Sequence, residues 1–594
     1  MLCSHRRVFI IGIFCLCASF CPPGAESFPA DDDRPPQVRG SVNNRAIPHN
    51  HSDWTLWSCD LDVDADRDGV VEPNSADDDF DEANWTSSRG AVFAFNNDDD
   101  DGDGMVDAAD DWVNGTADEL DLAPLLLRTA PGIPLDWSGF LTVDSDSAQW
   151  VRVFRKHAGG WSHFDPATAN PIPAIDLRDG LAFGIEARDF AQTSDGAPGK
   201  WTGEVLISFE LRDGAGRTRS GDAVRLRVAP FVLYSNLAPA ETVYVVEKWN
   251  TTDFVDALRP PVSAGGATLD AIDGIVMEPS YGIWAQDAME FGYSTVPAVG
   301  GRRTLPSVLR SPRDWSLDEW TVDYCLRPDF GYVFKGWYRS NVDWIDWFGN
   351  LDCTPPLPGW PLGRVYTGYQ GSTAMHPAVR EFIDAQGIQG PVLEIDTDWL
   401  LIGHVDEQIS FVPASSGSAY RMLMPSTDRA LQILHDLQNA GKGSLAVFEG
   451  TNAQTTVSGL LSWTNFVNYN AGLQSTIDGV RQQAKSGFGV AEADIIDIPA
   501  LFWKGGGGNR AIAHMPNMVN SLVVGGRFIA PDPFGPVDGS VDRFKEPVDA
   551  ALGAIGLTVD YVDDWYPYHE WWGEVHCGTN AVRTPSATLW WSLD

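Results

Sequence analysis

The chain has 594 residues, 43% of them hydrophobic, and a formal net charge of −41. That length sets a prior of about two to four domains, and the apolar share suffices for packed cores and excludes wholesale disorder. So acidic a chain lacks the Lys and Arg surface that binds nucleic acid or an anionic membrane, which leaves metal ions, basic proteins or guanidinium groups as partners.

The first residues read as a targeting segment. Arg6 and Arg7 precede a 13-residue apolar run from Val8 to Phe20, and Gly24 and Ala25 supply small residues for cleavage. Such a run is too short to span a bilayer comfortably. Residues 1–25 are expected to be a signal peptide, which would make the mature protein secreted or periplasmic. Cys3, Cys15, Cys17 and Cys21 fall in or beside this segment. The remaining Cys59, Cys325, Cys353 and Cys577 are too few for a disulfide framework. Whether Cys325 pairs with Cys353 stays open. Residues 26–52, with Asp31 to Asp33 and Pro35-Pro36, read as a linker.

The next stretch is the most acidic. Residues 60–121 hold 22 Asp and Glu against two basic residues, Arg67 and Arg89, about half the charge excess in a tenth of the chain. Carboxylates at this density repel and unfold a segment unless cations bind. Asp99, Asp101, Asp103, Gly104, Asp107 and Asp110 match positions 1, 3, 5, 6, 9 and 12 of an EF-hand-like loop, with Asp110 shorter than the usual Glu. Asp64, Asp66, Asp68 and Gly69 begin a second, partial match. An oxygen-only ligand set favours Ca²⁺ over zinc or copper. The alternative is an acidic disordered tract.

Short alternating runs surround this segment: Gly90 to Phe95, Gln149 to Phe154, Gly203 to Leu211 and Ala223 to Ala229. They predict an antiparallel sandwich over residues 53–235. After Pro230 the pattern changes. Strands such as Thr242 to Val246 mix with amphipathic helical segments at Pro377 to Ala385 and Asp428 to Asn439, which predicts an α/β or α+β domain. Gly505 to Gly508 is a loop without the Lys-Ser/Thr of a phosphate loop.

Three places carry chemistry. His404 and Asp406 are two apart in the apolar run Trp399 to Val412; on a strand they would share a face and a pocket. Taken alone, the pair is read first as a surface pair, with the shared pocket as the alternative. Cys577, in Gly573-Glu-Val-His-Cys-Gly-Thr-Asn580, is expected to be an exposed thiolate, needing nearby cations to lower its pKa. Trp284 to Glu290 contributes Asp287, or is simply a helix start. One Cys, one His and two carboxylates in a single domain form a constellation.

Several blocks resemble the protein-arginine deiminase family: Trp284 to Glu290, Pro328 to Tyr332, His404 to Pro413, Glu492 to Pro499, Pro516 to Asn520 and Gly573 to Asn580, in the family's order. Residues 53–235 resemble its immunoglobulin-like middle domain, calcium-rich turn included. The resemblance implies a catalytic α/β propeller for residues 236–594, the pentein fold of five ββαβ blades. It implies hydrolysis of peptidyl-arginine to peptidyl-citrulline and ammonia. Asp287 and Asp406 would hold the forked guanidinium, and Trp284 would offer an aromatic wall. Cys577 would attack the central carbon, forming a thiouronium intermediate, and His404 would serve as general acid and base.

The resemblance also carries Ca²⁺ ligands. Gln286, Glu290, Phe348 and Leu351 (through their carbonyls) and Asp352 match one catalytic-domain site, with Asp352 replacing a Glu. Its neighbour is damaged: Ala288 and Arg310 stand where acids are expected, beside Ser311 and Asp314. Asn96, Asp98, Asp100, Asp107, Asp110, Glu119 and Asp121 match a middle-domain cluster, with Asp329 reaching it from the catalytic domain. This register and the EF-like one disagree on the even or odd aspartates. Arginines that hold the substrate backbone in the family fall on Trp315 and Trp571, while Arg313 is retained as a substrate-binding residue. The expected substrates are arginine-containing proteins or peptides. The alternatives are a related enzyme using free arginine or agmatine, a non-catalytic calcium-dependent binding protein, and a thiol protease.

Overall fold

The computed structural model describes residues 58–593 apart from 74–75, 167–169, 194–198, 275–281, 314–315, 336–343 and 506–507. The expected signal peptide and linker lie outside the described residues, as do Asp314 and Trp315.

The first part is two five-stranded sheets face to face. One runs in the order Cys59–Asp62, Ala123–Thr129, Leu181–Ala187, Val151–His157 and Gly160–His163, every pair antiparallel. The other runs Ala91–Phe93, Thr218–Val228, Glu204–Arg212, Ser138–Val143 and Ile172–Pro173, antiparallel except where Ala91–Phe93 lies parallel to Thr218–Val228. Glu204–Arg212 alternates strictly between half-buried and buried positions. Its Val205, Ile207, Phe209 and Leu211 meet Leu125, Leu127, Phe183 and Ile185 in the core. Period-two alternation with one face on the core is what such a sandwich requires.

The second part repeats one plan five times among the described residues. An antiparallel strand pair is joined by a third strand parallel to its second member, and a helix precedes that third strand. Leu351–Cys353 and Val365–Gln370 are followed by the helix Pro377–Gln386 and then Leu393–Asp396. Ser410–Pro413 and Tyr420–Ser426 are followed by Thr427–Asn439 and other helices, then Ile495–Pro499. Leu522–Val524, Arg527–Pro531, Lys545–Gly553 and Thr558–Val562 make another unit. Met289–Ala298, Gly301–Arg310 and Gly331–Phe334 make a fourth. The fifth is closed by the two ends of this part: Ala240–Glu247 pairs parallel with Thr268–Asp273 and antiparallel with Thr579–Arg583. Parallel neighbours need a crossover, and the helices supply it.

Local chemistry sets the helix ends. Ser426 Oγ accepts from the Arg429 N–H at 3.2 Å, and Ala430, Leu431, Leu434 and Leu437 form the buried stripe behind that cap. Pro377 occupies the first turn of its helix, and Gly387 ends it at φ +74. The two parts meet through polar contacts at the acidic turn. The Tyr332 N–H donates to the Asn97 carbonyl at 2.8 Å, and Asp329 N–H to Asp98 Oδ2 at 2.9 Å. No helix among the described residues is long and apolar enough to cross a membrane. Cys325 and Cys353, whose pairing was open, are both buried and free.

Candidate active site and calcium centres

Four segments from different sheets bring the chemistry together. The short helix Ala285–Ala288 carries Asp287, a turn at Phe348–Asn350 lies beside it, the turn Val405–Glu407 carries Asp406, and Cys577 precedes the strand Thr579–Arg583. Asp287, His404, Asp406 and Cys577 are each at least 94% buried.

The site has two joined halves. On one side, Asp287 Oδ1 lies 3.6 Å from His404 Nδ1, and His404 Nε2 contacts the Trp344 carbonyl at 2.8 Å. On the other, Asp406 Oδ2 lies 3.5 Å from Cys577 Sγ and 3.0 Å from His576 Nδ1. A main-chain bond from Gln286 N–H to the Cys577 carbonyl, 3.2 Å long, ties the halves together. Asp287 Oδ1 and Asp406 Oδ1 have no hydrogen-bond partner although both are buried. Two buried carboxylate oxygens without partners suit a planar cation with several N–H donors.

The electrostatics follow from burial. Burial raises the Asp287 carboxyl above its usual range, while His404 and Arg313 pull it back. Burial, then the charges of Asp406 and Asp287, push the Cys577 thiol well up. Burial works against a charged His576, but its bond to Asp406 prevails and holds that imidazole above its ordinary value. Cys577 is therefore not the exposed thiolate that its polar neighbours suggest. Those neighbours, His576, Thr579 and Asn580, are buried too.

Another expectation changes. His404 and Asp406 do not alternate on a strand: His404 caps a one-turn helix, and the strand begins only at Ser410. Gly403 at φ +87 makes the turn, and Glu407 Oε1 accepts from the Gly403 and His404 N–H groups at 3.0 and 2.9 Å. Arg313, expected to hold substrate, is 1% exposed. Its Nε donates to Asp318 at 2.8 Å and its Nη1 stands 3.7 Å from Asp287, so it steadies a site carboxylate from inside. Trp284 packs edge-on against Tyr568, with ring centroids 5.4 Å apart.

Sequence reasoning passed over several supports. Asn520 Nδ2 donates to Cys577 Sγ, and its Oδ1 accepts from the Cys577 N–H, both at 3.2 Å. A Cβ on Gly349 would sit 2.4 Å from His404 Nδ1 and 2.8 Å from Asp287 Oδ1. Only the block Pro516 to Asn520 hinted at the first, and nothing in sequence marks the second.

The expected calcium residues form distinct groups. Carboxylate oxygens of Asp98, Asp100 and Asp121 lie within 4.8 Å of one another, as do those of Asp99, Asp101 and Asp107, and of Asp101, Asp103 and Asp110. The even and odd registers are thus two adjacent clusters rather than rivals. Gly104 at φ +86 allows the sharp turn, and Asp99 accepts from the Gly102, Asp103 and Gly104 N–H groups. Asn96 Oδ1, Asp98 Oδ1 and both Asp100 oxygens are buried without hydrogen-bond partners. Orphaned hard oxygens in this number fit Ca²⁺. Arg303 pairs with Asp121 at 2.7 Å and reaches Asp329 at 3.6 Å, a partial internal counter-charge. Glu119 departs from the expected set, because its carboxylate turns to Lys156. Asp64, Asp66 and Asp78 form another group; Asp78 replaces Asp68 in it.

In the second part, Gln286 Nε2 contacts Glu290 Oε2 at 2.5 Å and the Phe348 carbonyl at 3.2 Å. Glu290 and Asp352 line one small cavity with Gln286, and burial followed by Asp352 raises Glu290 to about 8. Leu351 opens the strand that carries Asp352. Turning the Gln286 amide over would present its oxygen beside these carboxylates, so this donor set also fits Ca²⁺. At the neighbouring position Ala288 is buried and Arg310 stacks over Phe334 at 5.3 Å, which supplies no carboxylate.

Comparison with known proteins identifies the relatives of this chain. The family model described as protein-arginine deiminase (PAD) matches residues 218–592, and that of the PAD middle domain matches residues 58–169. Protein-arginine deiminase type-4 of Rattus norvegicus is 35% identical over 561 residues, covering 90% of this chain and 82% of that protein. Protein-arginine deiminase type-3 of Homo sapiens is 34% identical over 565 residues, covering 91% and 83%. Among solved structures, an agmatine deiminase of Enterococcus faecalis is similar at 11% identity and a TM-score of 0.35, covering 60% of this chain and 96% of its own. The chain belongs to the protein-arginine deiminase family.

Proposed function

We propose that this protein is an enzyme that hydrolyses peptidyl-arginine to peptidyl-citrulline and ammonia, and that Ca²⁺ is its cofactor. The observation that carries this reading is the pair of buried carboxylates, Asp287 and Asp406, each with an unpartnered oxygen and each beside one reactive side chain. A guanidinium is planar, cationic and rich in N–H donors, and it satisfies those oxygens.

With the guanidinium held, Cys577 releases its proton to solvent and the Sγ thiolate attacks the guanidinium's central carbon. The C–N bond to one terminal nitrogen breaks, and His404 gives that nitrogen a proton as ammonia leaves. The carbon is then a thiouronium on Cys577. His404 takes a proton from water, the oxygen adds to the carbon, and the C–S bond breaks to leave a ureido group and a free thiol. Asn520 positions the sulfur, and Asp406 holds both substrate and His576. Bound Ca²⁺ would supply positive charge to the acidic turn and to the Gln286, Glu290 and Asp352 cavity. In the acidic turn Asn96, Asp98, Asp100, Asp107, Asp110, Asp121 and Asp329 are its ligands in this reading.

The same reading assigns residues 53–235 to an immunoglobulin-like domain and 236–594 to a five-bladed propeller, supported by the two packed sheets and the fivefold repeat of hairpin, helix and parallel strand. It places the protein outside the cell or in a periplasm, on the strength of the Val8 to Phe20 segment. The test is citrulline formation from a blocked arginine peptide in Ca²⁺. Cys577→Ala is expected to abolish it while the melting temperature stays, and unchanged turnover in that variant sinks the mechanism.

A further inference from the structure

A row of indoles leads away from His404. Trp347 packs edge-on to His404 with ring centroids 6.2 Å apart, Trp344 lies 6.1 Å from Trp347, and Trp572 lies 6.2 Å from Trp344. This row runs outward from the catalytic histidine to the segment just before Cys577. At its outer end Trp571 is 64% exposed and Trp572 47% exposed.

The backbone there is costly. Trp572 has φ +72, the left-handed region that bulky residues avoid. The next residue must be glycine, because a Cβ on Gly573 would sit 2.3 Å from the Trp284 ring. Trp572 ends the one-turn helix His569–Trp571 in this conformation, and the residue stays 47% exposed. Strain kept at the rim of a site, around large apolar groups left in solvent, is a mark of recognition. The neighbouring carboxylate, Glu570, turns to the Asn452 amide, which leaves the platform itself apolar.

We propose that Trp571 and Trp572 form a docking platform for an aromatic side chain adjacent to the target arginine, so that the favoured substrates are peptides with Phe, Tyr or Trp beside arginine. This rests on the deimination reading above. The arginine head enters between Asp287 and Asp406, while the adjacent ring covers the exposed indoles. An aromatic partner removes apolar surface from water on both sides and stacks in offset or edge-on geometry. A glycine neighbour gains nothing there.

The experiment compares kcat/KM for acetyl-Gly-Arg-Gly-amide with peptides carrying Phe or Lys at either flanking position, and with acetyl-arginine amide, all in Ca²⁺. A Phe peptide is expected to exceed the Gly peptide by about tenfold, through KM, with little change when salt is raised. In Trp571→Ala and in Trp572→Asn that ratio falls toward one. Asn tolerates the left-handed backbone, and a ratio of two substrates on one sample cancels any loss of folded protein. Equal values for Phe and Gly peptides in the unaltered protein overturn the inference while leaving deimination standing. So does a ratio that survives both substitutions, or a Lys preference that salt removes. Absence of citrulline from every substrate, acetyl-arginine amide included, overturns the deimination reading and the inference with it.

Discussion

The Asp406 carboxylate stands 3.5 Å from the Cys577 sulfur, and the same oxygen holds His576 Nδ1 at 3.0 Å. A carboxylate beside a buried thiol opposes thiolate formation, and burial, Asp406 and Asp287 do raise Cys577 well above its ordinary pKa. A bound guanidinium reverses that field, because it places positive charge between both carboxylates and the sulfur. In the proposed mechanism the Cys577 nucleophile is therefore activated by its own substrate.

This relationship makes Asp406→Asn informative. Removing the charge eases ionisation of Cys577, so a neutral alkylating agent is expected to modify the variant faster than the unaltered protein at pH 8. Arginine turnover moves the other way. Losing one partner of a buried charge pair costs about 2–5 kcal/mol, which is roughly 30- to 5,000-fold in kcat/KM. Both rates falling together would indicate a misfolded site instead.

Gly349→Ala tests the positioning of the acid–base side. The added methyl would lie 2.4 Å from His404 Nδ1 and 2.8 Å from Asp287 Oδ1, so one of them must move. A displacement of about 1 Å near the chemistry costs on the order of 10²-fold. The expected outcome is that drop in kcat with a melting temperature nearly unchanged, measured by steady-state kinetics and calorimetry. Retention of full activity would show that the pocket has slack there.

The acidic turn predicts an unusual pH dependence. Burial, then neighbouring carboxylates, raises Asp98 well above the usual range, Asp100 to about 7 and Asp107 to about 8. Burial raises Asp121 to about 6, against the pull of Arg303. The unfolded chain has carboxyl pKa values of about 3.9. Between about pH 4 and 8 the folded, ion-free state thus binds more protons than the unfolded one, and stability falls as pH rises. In the proposed reading, Ca²⁺ binding replaces those protons. In EGTA the melting temperature is expected to decline across that window. With Ca²⁺ at a hundredfold its Kd, stability rises by about 2.7 kcal/mol at neutral pH, with proton release on binding. A flat profile in EGTA, or no shift on adding Ca²⁺, would contradict this account of the cluster.

How much of this was legible in the sequence depends on the physics of each part. The alternation in Glu204–Arg212 maps directly to one buried face, and the apolar spacing of Thr427–Asn439 to one helical stripe, because both patterns are local. The site residues Asp287, His404, Asp406 and Cys577 were named from sequence, and they do converge. The route of convergence was not legible. His404 and Asp406 share a pocket through a turn made by Gly403 and held by Glu407, which side-chain alternation cannot reveal. Asn520 and Gly349 act across contacts distant in the chain, so no spacing betrays them. The burial of Cys577 was missed because its polar neighbours looked solvated, yet buried partners satisfy them. For example, Asn580 donates to the Met289 carbonyl at 2.7 Å.

The most direct test of the central claim is mass spectrometry after treatment with a haloacetamidine, an electrophile shaped and charged like a guanidinium. The account predicts a single adduct on Cys577 at neutral pH. The adduct should form faster in Ca²⁺ than in EGTA, be suppressed by an arginine peptide, and be slowed at least tenfold in Asp287→Asn. An unmodified Cys577, or labelling spread over Cys59, Cys325 and Cys353, would contradict it.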